Sequence, residues 1–318
     1  MAELCAQLDD IRIAAERISK CANKTPILRC SALDQILGAE IYFKCENFQK
    51  VGAFKFRGAC NAIMGLSEGE LKRGVATHSS GNHAAALALA AKLAGSTAHI
   101  VMPNNSPGVK KAAVQNYGAT ITFCEPTLEA RESTLAGVLE EEGRVMIHPY
   151  NDPRIIAGQG TAALELIEKV KEVDVVMVPI GGGGLLSGTS IIVSESLPSA
   201  EVIGVEPDGA DDAFRSLETG KIQPSINPQT IADGLLTSLG DLTFAVIQNR
   251  CSSIVTVSEE AIVEAMRMVW ERMKIVIEPS AAVPVAALLE KRSEIPGNRV
   301  GIIISGGNVD LERLPWLK

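Results

Sequence analysis

The sequence predicts an α/β protein: two open, parallel-type α/β domains with a ligand crevice between them. Three observations predict this. Residues 74–148 alternate strand-length apolar runs with helical periods. A second alternation runs over residues 161–304. Small polar stretches rich in glycine follow three of the predicted strands: Ser79-Ser80-Gly81-Asn82-His83, Gly181 to Gly184, and Ser305-Gly306-Gly307-Asn308. Regular alternation argues for a sheet covered by helices, and ligands bind such sheets beyond the carboxyl ends of their strands.

Each element follows from local pattern. Residues 8–20 have amphipathic helical spacing, and Thr25-Pro26 ends that segment. Strand 41–44 precedes helix 58–66. The first alternation reads strand 74–77, helix 82–93, strand 99–102, helix 109–117, strand 120–124, helix 128–141 and strand 145–148. The second reads helix 161–170, strand 174–180, helix 185–196, strand 201–205, strand 254–257, helix 259–273, helix 280–291 and strand 300–304. Residues 209–242 hold Pro224 and Pro228 among mostly polar neighbours and read as loops with short helices. The first alternation lies inside the second. That divides the chain into a large domain, 1–73 plus 151–318, and a small inserted domain, 74–150.

Composition narrows the function classes. At 318 residues the chain is long enough for two cores, and 46% hydrophobic with 21% charged residues is globular. A net charge of −8 gives no electrostatic reason to expect nucleic acid. The alanine-rich run 83–93 is too short to span a bilayer. No signal peptide is visible, and the seven scattered cysteines contain no C-x-x-C pair, so a reducing cytoplasm without structural disulfides or zinc is expected.

The chemistry centres on Gly52-Ala53-Phe54-Lys55-Phe56-Arg57-Gly58. A lysine between two aromatics can be held partly dry, which lowers its pKa and makes it a Schiff-base nucleophile; the plain alternative is a solvated surface charge. Gly181, Gly182, Gly183 and Gly184 lie between a strand and a helix, an arrangement that seats phosphate on backbone N–H groups. Gly182, Gly184 and Gly188, with Glu206 at a strand end, also loosely fit a dinucleotide fingerprint, so a nicotinamide dehydrogenase stays open, as does a non-catalytic phosphate-binding module. Ser80 is a candidate acid/base group and Asn82 a hydrogen-bond donor, against the alternative of ordinary helix capping. Ser305 follows a buried strand, where a serine can face a heteroaromatic nitrogen or simply belong to a turn. Glu206, Asp211 and Asp212 suit Mg²⁺ or Ca²⁺, or are a solvated acidic loop.

Lys55 within AFKFRG, SSGNH, GGGG and SGGN, in this order from Thr25-Pro26 to Asp310, resemble the fold-type II pyridoxal-phosphate enzymes (the tryptophan synthase β-like fold). Within them the chain is similar to the serine racemases and to the serine and threonine dehydratases. The resemblance implies that Lys55 carries pyridoxal phosphate, that Phe54 packs near its ring, and that Asn82 bonds its 3-hydroxyl. It implies further that Gly181 to Gly184 seat the phosphate and that Ser305 faces the ring nitrogen. Ser79, Ser80, Gly81, Asn82 and His83 then meet a small amino-acid substrate, with Ser80 as the second proton carrier. Related dehydratases often have alanine at that position, so threonine or 3-hydroxyaspartate dehydration is the alternative reaction. Glu206, the carbonyl of Ala210 and Asp212 match a divalent-metal loop for Mg²⁺, Ca²⁺ or Mn²⁺. Lys50, Tyr117, Lys274 and Asn308 match positions where animal racemases bind ATP at a homodimer interface. The sequence departs from that pattern at Ala85 and Val51, and Tyr150 stands where those racemases have an asparagine near the cofactor.

Overall fold

A computed structural model describes residues 4–79, 81–106 and 108–317. Ten strands lie among them: β1 (Ile27–Leu28), β2 (Glu40–Cys45), β3 (Val75–His78), β4 (Ala98–Pro103), β5 (Thr120–Cys124), β6 (Val145–Met146), β7 (Val175–Pro179), β8 (Glu201–Pro207), β9 (Ser253–Val257) and β10 (Arg299–Ile304). They form two sheets. One has the order β1-β2-β10-β7-β8-β9, the other β5-β4-β3-β6. Every pair is parallel except β1 with β2. The central strands read as unbroken apolar runs, such as Val-Val-Met-Val-Pro in β7, because helices cover both faces and both sides of the strand are buried.

The helices are α1 (Leu8–Ile18), α2 (Ser31–Leu37), α3 (Lys55–Met64), α4 (Glu68–Arg73), α5 (Asn82–Leu93), α6 (Gly108–Asn116), α7 (Leu128–Glu142), α8 (Pro153–Lys169), α9 (Gly184–Ser196), α10 (Asp212–Thr219), α11 (Asp241–Arg250), α12 (Glu259–Met273) and α13 (Pro279–Glu290). No helix among the described residues is long and apolar enough to cross a membrane. All seven cysteines are free thiols.

Several predicted boundaries move, each for a packing reason. α3 starts at Lys55 rather than at residue 58, so the lysine sits in its first turn. Gly58 is interior to that helix because a Cβ there would lie 2.5 Å from the Gln159 amide of α8. α8 likewise starts at Pro153, capped by Asp152, rather than at 161. Gly158 is where α3 and α8 cross: its Cβ would lie 2.6 Å from the Gly58 Cα. Strand 145–148 shrinks to Val145–Met146, since the His148 side chain turns the chain by accepting the Tyr150 and Asn151 N–H groups. Helices α2, α4 and α11 are additions to the sequence reading. α4 carried a legible signal, a capping box between Ser67 and Glu70.

Candidate active site

A cavity of about 290 Å³ opens where strand ends of both sheets converge. His78 and Ser79 reach it from the end of β3, Pro179 from β7 and Ser305 from β10. Lys55 lines it from the first turn of α3. Two residues on, fully buried Arg57 fixes that turn. Its Nε donates to Glu46 Oε2 at 2.7 Å and its Nη1 to Glu165 Oε1 at 2.8 Å, joining α3 to α8 and to the segment after β2. A buried guanidinium with two carboxylate partners is a rigid anchor, because losing either partner leaves a buried charge uncompensated.

The Lys55 Nζ donates to the Pro149 carbonyl at 3.0 Å and lies 5.2 Å from the Phe54 ring centre. Burial pulls its pKa down to about 8, against the opposing pull of the Glu278 carboxylate. The neutral amine is the nucleophile, and its fraction rises as pH passes that value. Covalent capture of pyridoxal phosphate by the cofactor-free protein, trapped with borohydride, is therefore expected to climb with pH and level off above about 8. Glu278→Gln removes the anion that favours the ammonium, so the midpoint should move lower. A wild-type midpoint near 10.5, the ordinary lysine value, would contradict this account.

Opposite the lysine, Gly181 to Gly184 carry the chain from β7 into α9. Gly183 is the N-cap, with φ of +87°, a conformation that L side chains avoid. A Cβ at Gly182 would sit 2.3 Å from the Tyr150 ring, and one at Gly181 would sit 3.0 Å from the Leu235 Cα. The loop is thus a side-chain-free concavity at the N-terminus of a 13-residue helix, and both features favour an anion. A phosphate seat and a desolvated amine on one cavity fit a phosphorylated aldehyde.

Ser305 is buried at the cavity wall, and its carbonyl accepts the Phe54 N–H at 2.9 Å. Asn82 begins α5, and its amide nitrogen donates to both oxygens of Glu278, at 2.9 and 3.1 Å. Its carbonyl accepts from Asn308 Nδ2 at 3.0 Å. The side chain expected to serve the ring hydroxyl is therefore already tied to a carboxyl that the sequence reading did not single out. Burial pushes the Glu278 pKa up to about 7, with Asp233 adding to the rise. His83 is buried with neither ring nitrogen partnered among the described residues, and burial and the Lys55 charge hold it neutral. Ser79 Oγ accepts the Gly81 N–H at 3.3 Å, and both residues line the cavity. Ser80 lies outside the described residues.

The family model described as pyridoxal-phosphate dependent enzyme matches residues 18–306. The chain belongs to this family. The chain is 50% identical over 308 residues to a beta-hydroxyaspartate dehydratase of Paracoccus denitrificans, covering 97% of this chain and 98% of the relative. It is also 50% identical over 311 residues to a serine racemase of Dictyostelium discoideum, covering 96% of each. The crystal structure of serine racemase from that organism superposes with a TM-score of 0.92, over 96% of this chain and all of that one. Maize serine racemase gives 0.95 at 45% identity, over 97% and 95% of the two chains.

In this pyridoxal-phosphate dependent enzyme the dinucleotide reading of Gly182, Gly184, Gly188 and Glu206 gives way to packing. A Cβ at Gly188 would lie 2.5 Å from the Gly160 nitrogen, so that glycine serves the α8–α9 crossing. The buried Glu206 carboxylate accepts the Ala213 and Phe214 N–H groups, at 3.1 and 2.8 Å, and is not presented to a ribose. Its pKa is pushed up to about 9, first by burial and then by the Asp212 charge. Asp212 is also buried, and among the described residues neither of its oxygens has a hydrogen-bond partner. Burial raises its pKa to about 6. Two buried carboxyls crowded together, one without a hydrogen-bond partner among the described residues, would suit a divalent cation. Among the described residues no group of three or more His, Cys, Asp or Glu side chains gathers, so such a site depends on backbone oxygens.

The four positions matched to nucleotide binding do not line the cavity. Lys50 stacks over Phe56 at 5.7 Å, Lys274 folds back onto the Glu271 carbonyl, and Tyr117 packs on the apolar core beneath α5. The Asn308 amide donates to the Val51 carbonyl at 2.7 Å as well as to Asn82, so it is already engaged within the chain.

Proposed function

We propose that this enzyme interconverts L- and D-serine and, as a side reaction, dehydrates L-serine to pyruvate and ammonia. The observation that carries the reading is that one cavity is lined both by Lys55 and by Ser79 and Gly81, the two neighbours of Ser80. What pyridoxal phosphate supplies when bound is an electron sink that makes the amino acid's Cα–H acidic. Gly181 to Gly184 hold its phosphate, and Ser305, a neutral group, faces its ring nitrogen. The Lys55 Nζ takes the Cα proton on one face. The Ser80 hydroxyl returns a proton on the other face, which inverts the centre. Departure of the β-hydroxyl diverts the substrate to pyruvate and ammonia. The small domain, 74–150, carries Ser80 and the large domain, 1–73 plus 151–318, carries Lys55, so domain closure assembles the pair and excludes water. Mg²⁺ at Glu206, Ala210 and Asp212 supports the fold, and the protein works as a cytoplasmic homodimer; the ATP arm of the test below decides whether nucleotide activates it.

The test follows D-serine and pyruvate together from L-serine, with and without Mg²⁺, chelator and ATP. Both products are expected, and chelation should lower both rates by exposing two crowded carboxyls to each other. Pyruvate without D-serine would overturn the racemase reading.

One observation favours a second reading, dehydration of 3-hydroxyaspartate. Arg131 lines the cavity from α7, and among the described residues its buried Nε has no hydrogen-bond partner. A guanidinium there suits a second substrate carboxylate. On that reading 3-hydroxyaspartate outcompetes serine, and Arg131→Gln removes the preference.

A further inference from the structure

The phosphate seat is gripped from outside by two elements that sequence reasoning did not connect. The first is the four-residue strap His148 to Asn151, which leads from β6 into α8. Each of its residues does something different. His148 Nδ1 accepts the Tyr150 and Asn151 N–H groups, at 3.3 and 2.9 Å, and fixes the turn. The Pro149 carbonyl accepts the Lys55 ammonium. The Tyr150 ring meets the His148 ring edge-on at 4.6 Å and fills the space a side chain at Gly182 would need.

Asn151 leads to the second element. Its Nδ2 donates to Asp241 Oδ1 at 2.6 Å, and its Oδ1 accepts the Leu242 N–H at 3.0 Å. Both partners are in the first turn of α11, and Gly240 just before them leaves room for Asn151 by having no Cβ. One residue further, fully buried Thr243 accepts the Gly240 N–H at 3.0 Å, and its one hydroxyl proton is shared between the Gly182 carbonyl at 2.9 Å and the Gly240 carbonyl at 3.0 Å, which ties the glycine loop to the start of α11. The Thr243 Cβ also stands 2.9 Å from where a Gly183 side chain would begin.

We infer that the strap and the first turn of α11 form one clamp on the glycine loop, with Thr243 and Asn151 as positioning residues that set cofactor affinity through the phosphate. Thr243 does not line the cavity; it pins the carbonyl of Gly182, and a pinned peptide plane points its neighbouring N–H groups at a fixed place. Asn151 ties α11 to the strap, so the carbonyl that receives the Lys55 ammonium and the loop that receives phosphate are held by one piece of structure. This rests on the pyridoxal-phosphate part of the proposed function and not on the choice of substrate.

The test compares two ligands of the cofactor-free protein, pyridoxal phosphate and pyridoxal, which share the aldehyde and differ in the phosphate. Affinities come from quenching of intrinsic fluorescence. Thr243→Val is expected to weaken pyridoxal phosphate roughly ten-fold, the effect of one lost buried hydrogen bond, and to leave pyridoxal unchanged. Thr243→Ser should restore wild-type affinity, and Asn151→Ala should weaken the phosphorylated ligand selectively. Should Thr243→Val not fold, Asn151→Ala and Thr243→Ser carry the comparison alone. Equal weakening of both ligands, wild-type affinity in Thr243→Val and Asn151→Ala, or no rescue by serine would each overturn the clamp. A wild-type protein that binds neither ligand would instead overturn the cofactor reading beneath it.

Discussion

Lys55→Ala is expected to abolish racemisation and dehydration alike, by about four orders of magnitude or more, because it removes the covalent attachment point and the first proton carrier together. The visible absorbance that borohydride bleaches should disappear with it. The fold should survive. Among the described residues the Lys55 ammonium makes one hydrogen bond, to Pro149, whereas the first turn of α3 is held by buried Phe56 and by Arg57 between Glu46 and Glu165. Alanine is also a good residue for the start of a helix. Thermal melting against pH gives an independent check. The Lys55 pKa is lower in the folded chain, about 8, than the 10.5 of an ordinary lysine. The folded state therefore binds fewer protons than the unfolded state between these values, and stability rises with pH across that window. Cofactor-free wild type should be less stable than Lys55→Ala at neutral pH, and the gap should close from pH 8 towards 10.5. A gap that widens with pH, or racemisation within ten-fold of wild type, would sink the role assigned to Lys55.

The parts of this architecture that are legible in the sequence are those written in periodicity and in backbone chemistry. Parallel strands buried on both faces leave runs such as residues 175–179 and 300–304, and the glycine loop declares itself because a phosphate seat needs several positions without side chains. Glycines at helix crossings mislead for the same reason. Gly58, Gly158 and Gly188 look like breaks or phosphate ligands until Cβ contacts of about 2.5 Å show that the Gln159 side chain, in the first case, and neighbouring backbones, in the other two, occupy the space. The groups that tune the site were hidden because their partners are distant in sequence. Glu278 meets Asn82 across 196 positions, Arg57 meets Glu165 across 108, and Thr243 meets Gly182 across 61. A local pattern carries no trace of such pairs. Arg57 did leave one trace, a charge set among apolar residues at the start of a buried helix, and Asp212 left another in the density of carboxyls from Glu206 onward.

Ser80→Ala is expected to separate the two reactions. Lys55 can take the Cα proton from L-serine without help from the other face, so the first half of both reactions survives. Inversion requires a donor on the face remote from Lys55, and removing a positioned acid or base lowers such a step by about 10²- to 10⁴-fold. D-serine formation should fall by that factor, while pyruvate from L-serine falls much less or rises. The reverse direction sharpens the test. With D-serine as substrate the first proton lies on the Ser80 side, so the variant should lose D-serine racemisation and D-serine dehydration together. Exchange of the Cα hydrogen with deuterium oxide resolves the faces directly: L-serine should still exchange and D-serine should not. His83 offers no substitute donor, since burial and the Lys55 charge hold it neutral well below its ordinary range. Glu278, with a pKa of about 7, is engaged with Asn82 and Asn308. If Ser80→Ala racemises as wild type does, the second proton carrier lies elsewhere on the cavity. If both activities fall equally from L-serine, Ser80 serves binding rather than proton transfer. Only loss confined to the D-side supports two carriers on opposite faces of one substrate.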